Sequence, residues 1–130
     1  MNLNSQYQHV FIVTNAIYEG FVDLFNDKNC LHTDRAFALS KGFNDIVMHG
    51  NILNGFISYF IGECLPVKNV IIHSQSIQYS KPVYCDDMLN FVATVTDVIC
   101  SVNVVIFNFH FTNQSNIKVA KGKVQIGVLN

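Results

Sequence analysis

The sequence predicts an α+β fold in which an antiparallel sheet wraps around one long buried helix. Three observations carry that expectation. Apolar residues at helical spacing dominate the first half of the chain. Strand-forming segments fill the second half. The helix that joins the halves is apolar around most of its circumference. Neither repeats nor a linker interrupt residues 1–130, so a single domain is expected.

Residues 8–13, Gln-His-Val-Phe-Ile-Val, read as a short first strand. Thr14 or Asn15 caps the helix that follows. Its apolar face is Ile17, Phe21, Leu24 and Phe25, spaced i, i+4, i+7 and i+8. Asn26 to Asn29 ends it and opens a loop. Thr33 or Asp34 caps a second, short helix through Ala38, and Gly42 suits its exit. The long helix runs from Asn51 to Leu65 and stops before Pro66. Ile52, Phe56 and Phe60 form one row, and Leu53, Ile57 and Ile61 the next. A third row, Asn54, Ser58 and Gly62, is small or polar. On a buried helix such a row needs partners or a cavity, because an unpaired buried polar group costs about 1–3 kcal/mol.

The rest reads as sheet. Residues 70–79 are rich in β-formers but alternate poorly. Leu89, Phe91, Ala93 and Val95 alternate with polar neighbours. Val105, Phe107, Phe109 and Phe111 share one face. Ala120, Val124, Ile126 and Val128 alternate with Lys121, Lys123 and Gln125.

Composition narrows the function classes. Eight Lys+Arg stand against nine Asp+Glu, for a net charge of -1. Such a balance gives no electrostatic basis for a nucleic-acid or anionic-membrane partner. No apolar segment is long enough to span a bilayer. The first residues lack the basic and apolar regions of a signal peptide, so a cytoplasmic location is expected, with reduced Cys30, Cys64, Cys85 and Cys100. Charged residues make up only 13%, against about 25% in typical domains. A small domain has much surface to cover. Part of its apolar surface is therefore expected to meet another subunit, most simply in a homodimer.

Candidate chemistry is sparse. No nucleophile elbow, phosphate loop, dinucleotide fingerprint or zinc spacing occurs. His9, His73 and His110 fall on strands without a nearby acid, and a structural role suffices for them. Cys30 lies close to His32, but adjacency alone does not activate a thiol. Asp27 and His32 are five positions apart at a helix exit, where a loop can turn both toward one cavity. A carboxylate and an imidazole together make a workable acid–base pair. Spacing alone also fits a capping carboxylate and a surface histidine. His49-Gly50 precedes the long helix, whose first amides lack intrahelical acceptors. Gly50 has no side chain, so a carbonyl oxygen can approach its N–H, aided by the helix dipole.

Taken in order, these stretches resemble the MaoC-like, or hydratase 2, family. The matching residues are Asp27, Asn29, Leu31, His32, Asp34, Ala36-Phe37-Ala38, Phe43 and Val47-Met48-His49-Gly50. Ser58, Leu65-Pro66, Ser76, Pro82-Val83 and Asp87 continue the pattern. Cys30 and Ile46 stand where the family commonly has proline, and Asp86 where it has glycine. The resemblance implies a hotdog fold and hydration of trans-2-enoyl thioesters, or the reverse dehydration, on a coenzyme A or acyl carrier protein handle. It implies that Asp27 and His32 hold the water and that Gly50 N–H polarises the thioester carbonyl. Ser58 would support the site from the helix, with His49 and Asn29 shaping the substrate-binding loop. No metal or cofactor is implied. A hotdog thioesterase and a non-catalytic acyl-binding subunit are the alternatives. A thioesterase carboxylate is expected on the central helix, where only Glu63 is available.

Overall fold

Strand alternation on the inner face builds the sheet. The computed structural model describes all residues, 1–130. Strand β1 (Gln6–Ile12) leads into helix α1 (Asn15–Phe25) and the short helices α2 (Cys30–Thr33) and α3 (Arg35–Ser40). Helix α4 (Asn51–Tyr59) continues through a wider π-type turn, Phe60–Cys64. Then come β2 (Val70–Tyr79), β3 (Met88–Ile99), β4 (Val104–Thr112) and β5 (Lys118–Val128). The five strands pair antiparallel in the order β1-β3-β4-β5-β2.

The inner face is the one the alternation predicts. Leu89, Phe91, Ala93 and Val95 of β3 are fully buried, as are Phe107 and Phe111 of β4 and Val124 and Ile126 of β5. Helix α4 lays Ile52, Leu53, Phe56, Ile57, Phe60 and Ile61 onto this face. Phe60 packs on Phe91 with ring centroids 4.8 Å apart, and Phe56 stacks on Phe11 of β1 at 4.5 Å. Aromatic pairs of this kind add about 0.5–1.5 kcal/mol beyond the area they bury. The poor alternation of β2 has a cause: it is an edge strand whose register against β5 shifts between Ile72 and Ser74. Gly122 makes that pairing possible. A Cβ there would lie 1.9 Å from the Ser76 carbonyl oxygen.

One expectation needs correction. Helix α4 is covered on one side only; Gly55, Ser58, Tyr59 and Gly62 are exposed. The apolar face of α1 is also uncovered by this chain, and Leu24 is 81% exposed. Helical spacing identifies an apolar face but not whether this chain supplies its cover. No helix is long and apolar enough to cross a membrane. All four cysteines are free.

Candidate active site

The end of α1 sets the position of Asp27. Thr14 caps the start of this helix, its hydroxyl accepting the Ile17 N–H at 3.2 Å. Asn26 closes it in the left-handed conformation (φ 55°) and donates its N–H to Val22 O at 2.8 Å. That conformation suits asparagine. It turns the chain so that Asp27 begins a new direction. Asn29 then caps α2, its Oδ1 accepting the Leu31 N–H at 3.0 Å. One helical turn therefore stands where the sequence suggests a loop, and His32 rides on it.

Backbone bonds fix His32. Tyr18 of α1 donates its hydroxyl to His32 O at 2.6 Å. The Val47 N–H donates to Leu31 O at 3.0 Å, and His32 Nδ1 lies 2.6 Å from Val47 O. A carbonyl oxygen only accepts, so Nδ1 carries the hydrogen. In the neutral ring Nε2 then keeps its lone pair and is the nitrogen available as a base.

His49 joins the pair. Its Nε2 donates to Asp27 O at 2.9 Å. Its ring stacks on His32 with centroids 4.0 Å apart and packs on Phe21 at 4.6 Å. His49 is 2% exposed, and its Nδ1 is enclosed without a hydrogen-bond partner. Asp27, His32 and His49 each place one ligand-type atom within 4.8 Å of the others. A cation at this cluster would draw mainly on the Asp27 carboxylate and His32 Nε2, because both His49 nitrogens are engaged or enclosed.

Gly50 and Asn51 open α4, and neither N–H has an acceptor within the chain. Two free amides at the positive end of a helix attract a developing negative charge. Tyr79, the last residue of β2, lies against Gly50. A Cβ at position 50 would sit 2.7 Å from Tyr79 Cζ, so glycine is required for this approach. Asp27, His32, His49, Gly50, Tyr79 and Lys81 line a common cavity of about 550 Å³.

Four of the sequence-derived site residues, Asp27, His32, His49 and Gly50, thus meet at one cavity. Asn29 and Ser58 do not reach it. Asn29 is occupied in capping α2, and Ser58 faces outward two turns along α4. Glu63 is exposed and pairs with Lys68 at 3.8 Å, away from the cavity. The sequence reading missed Tyr79 and the carbonyl of Val47. The only signal for Tyr79 was the polar row on α4: Asn54 Nδ2 lies 3.4 Å from the Tyr79 hydroxyl. Burial holds the Tyr79 phenol above its ordinary value, partly opposed by that bond. Burial also raises the Tyr18 phenol, with smaller contributions from the neighbouring Cys85 and Glu19.

The hotdog architecture and this cluster of Asp27, His32 and His49 define a class, the MaoC-like domain proteins. The chain belongs to that family, whose model matches residues 6–113. Among its relatives is the (R)-specific enoyl-CoA hydratase of Aeromonas caviae, 36% identical over 76 residues, which are 58% of this chain and 57% of that protein. The (R)-specific enoyl-CoA hydratase of Rhodospirillum rubrum is 32% identical over 79 residues, 61% of this chain and 55% of that one. The matched stretches therefore span little more than half of these curated relatives. The fold agrees over nearly the whole length with the solved (R)-hydratase from A. caviae. Its TM-score is 0.90 at 23% identity, covering 99% of this chain and 98% of that one.

Proposed function

We infer that this chain hydrates trans-2-enoyl thioesters to (R)-3-hydroxyacyl thioesters, or runs the reverse dehydration. One observation carries the reading. The Asp27 carboxylate and the free Nε2 of His32 share a cavity with the unpartnered N–H of Gly50. The family membership and the hydratase relatives support it.

Hydration needs three things, and each has a residue. The thioester carbonyl rests on Gly50 N–H, at the positive end of α4. A water lies between Asp27 and His32 Nε2. Proton transfer from that water activates its oxygen, which bonds to Cβ as the C=C π bond breaks. Charge moves onto the carbonyl oxygen as an enolate, where the amide stabilises it. The proton then passes to Cα, so the elements of one water add across the bond. An oxyanion donor of this type typically lowers the barrier by about 3–4 kcal/mol, and positioned acid–base groups add about 10²- to 10⁴-fold. Asp27 and His32 lie on one connected segment, so hydroxyl and hydrogen reach the same face.

The same reading takes residues 1–130 as one catalytic domain in the cytoplasm. It assigns a coenzyme A or acyl carrier protein handle and a homodimer that covers the exposed apolar face of α1. Residue chemistry favours hydration over thioester hydrolysis, because Glu63 of α4 lies outside the cavity. Incubation with crotonyl-CoA tests this. Loss of the conjugated-thioester absorbance without free thiol is the expected result. Release of thiol, or inertness toward every enoyl thioester, would overturn it.

A further inference from the structure

The net charge of -1 conceals a segregation. Residues 69–85 and 98–130 build β2, β4 and β5 with their turns. They hold Lys81, Lys118, Lys121 and Lys123 but no aspartate or glutamate. Half of the eight Lys+Arg therefore sit where none of the nine Asp+Glu does. Strand pairing brings three of these lysines onto the outer face of the sheet. Lys121 lies between His110 of β4 and Gln78 of β2, and Lys123 between Asn108 and Ser76. A register shift at Phe111/Thr112 accompanies two consecutive buried residues, Val119 and Ala120, and returns Lys118 to the same side. From Lys118 to Lys123 the strip spans about 17 Å, at roughly 3.3 Å per strand residue. All three lysines are exposed, and neither ion pair of the chain, Arg35–Asp45 or Lys68–Glu63, involves them.

The strip adjoins the candidate active site. Ser80 donates its hydroxyl to Lys118 O at 3.1 Å, and the next residue, the exposed Lys81, lines the catalytic cavity. A subunit covering α1 leaves the strip open, because α1 packs on α4 against the opposite face of the sheet. Like charges without counter-charges repel one another, and the partner that matches them carries clustered negative charge. The groove among the lysines, about 490 Å³, is otherwise polar; Phe109, its apolar lining residue, is buried in the core. The adenine of coenzyme A would find only the half-buried His110 to stack on. An acidic protein face needs no such platform, and its carboxylates suit a row of separate, flexible ammonium groups. We propose that Lys118, Lys121 and Lys123 form the docking surface for an acidic acyl carrier protein, which presents its acyl thioester to the cavity past Lys81.

Docking of this kind rests on the hydratase reading, so binding and turnover are measured separately. Lys121→Glu combined with Lys123→Glu reverses the strip at two exposed positions and leaves the catalytic residues untouched. With crotonyl-loaded acyl carrier protein, kcat/KM of this double variant should fall at least about tenfold below wild type, while with crotonyl-CoA it should stay within about twofold. Equilibrium binding of butyryl-loaded acyl carrier protein, which has no double bond to hydrate, reads docking alone. Wild type should bind it more weakly as salt rises, and the double variant should bind at least about tenfold more weakly than wild type at low salt. That binding difference without turnover of any crotonyl thioester would sustain the docking surface and refute hydration. Turnover of crotonyl-CoA, with carrier-protein binding absent or unmoved by the charge reversal, would overturn the docking surface and leave hydration standing. Equal losses on both handles would assign the strip to the phosphates of coenzyme A and likewise overturn it.

Discussion

His32 gives its Nδ1 hydrogen to the carbonyl oxygen of Val47 across 2.6 Å, and this bond decides which ring nitrogen faces the chemistry. An asparagine at position 32 has an amide hydrogen near the place of Nδ1–H but nothing in place of Nε2. His32→Asn should therefore keep the bond to Val47 and the fold, with hydration falling by about 10²- to 10⁴-fold. Thermal unfolding together with crotonyl-CoA turnover checks both parts.

His49 is tied to Asp27 through its ring Nε2 and to His32 through stacking, yet its own Nδ1 is enclosed and unpaired. Such an atom costs about 1–3 kcal/mol. His49→Phe keeps the stack, removes the unpaired nitrogen and loses the hold on Asp27. The expected outcome is an unfolding temperature equal to wild type or above it. Activity should drop by about 10- to 100-fold through misplacement of the Asp27 carboxylate. Equal losses of stability and activity would assign His49 a packing role only.

Asp86 occupies the left-handed region at φ 69°, in the turn where its N–H donates to Val13 O at 2.7 Å. The neighbouring Asp87 is buried and accepts from the Tyr84 N–H and from Gln114, both at 2.9 Å. Aspartate tolerates the left-handed region better than most residues, and glycine better still. Chemical denaturation should place Asp86→Gly within about 0.5 kcal/mol of wild type. Asp86→Val should lose about 1–2 kcal/mol.

His110 of β4 lies opposite Lys121 of β5. Burial, and secondarily the charge of Lys118, pushes its imidazole below the ordinary value of 6.5. The unfolded chain thus binds this proton more readily than the folded one. The stability associated with His110 is present above pH 6.5 and is lost as pH falls toward the lowered folded value. Denaturation midpoints of His110→Asn between pH 7.5 and about 5 should fall less steeply than those of wild type.

The sheet was legible because β3, β4 and β5 each bury one face, and a period of two marks such strands. The rows of α4 were equally plain, since Ile52, Phe56 and Phe60 all meet the sheet. What the pattern could not supply was cover: the outward sides of α1 and α4 look apolar or small in sequence whether or not this chain shields them. Asp27 and His32 were suggested by spacing but selected only by resemblance. Helix α2, at four residues, is too short to display a period. Tyr79 stayed hidden for a different reason. Its contact with Gly50 depends on the β2–β5 pairing, a relation between distant segments that no local pattern encodes.

The most direct test of the whole account is a double-mutant cycle on Asp27 and His32. Crotonyl-CoA hydration would be measured for wild type, Asp27→Asn, His32→Asn and the double variant. If both side chains grip one water, each single change should cost about 10²- to 10⁴-fold and the double change little more than the worse single. Losses that multiply, or a single variant that retains most of its activity, would contradict it.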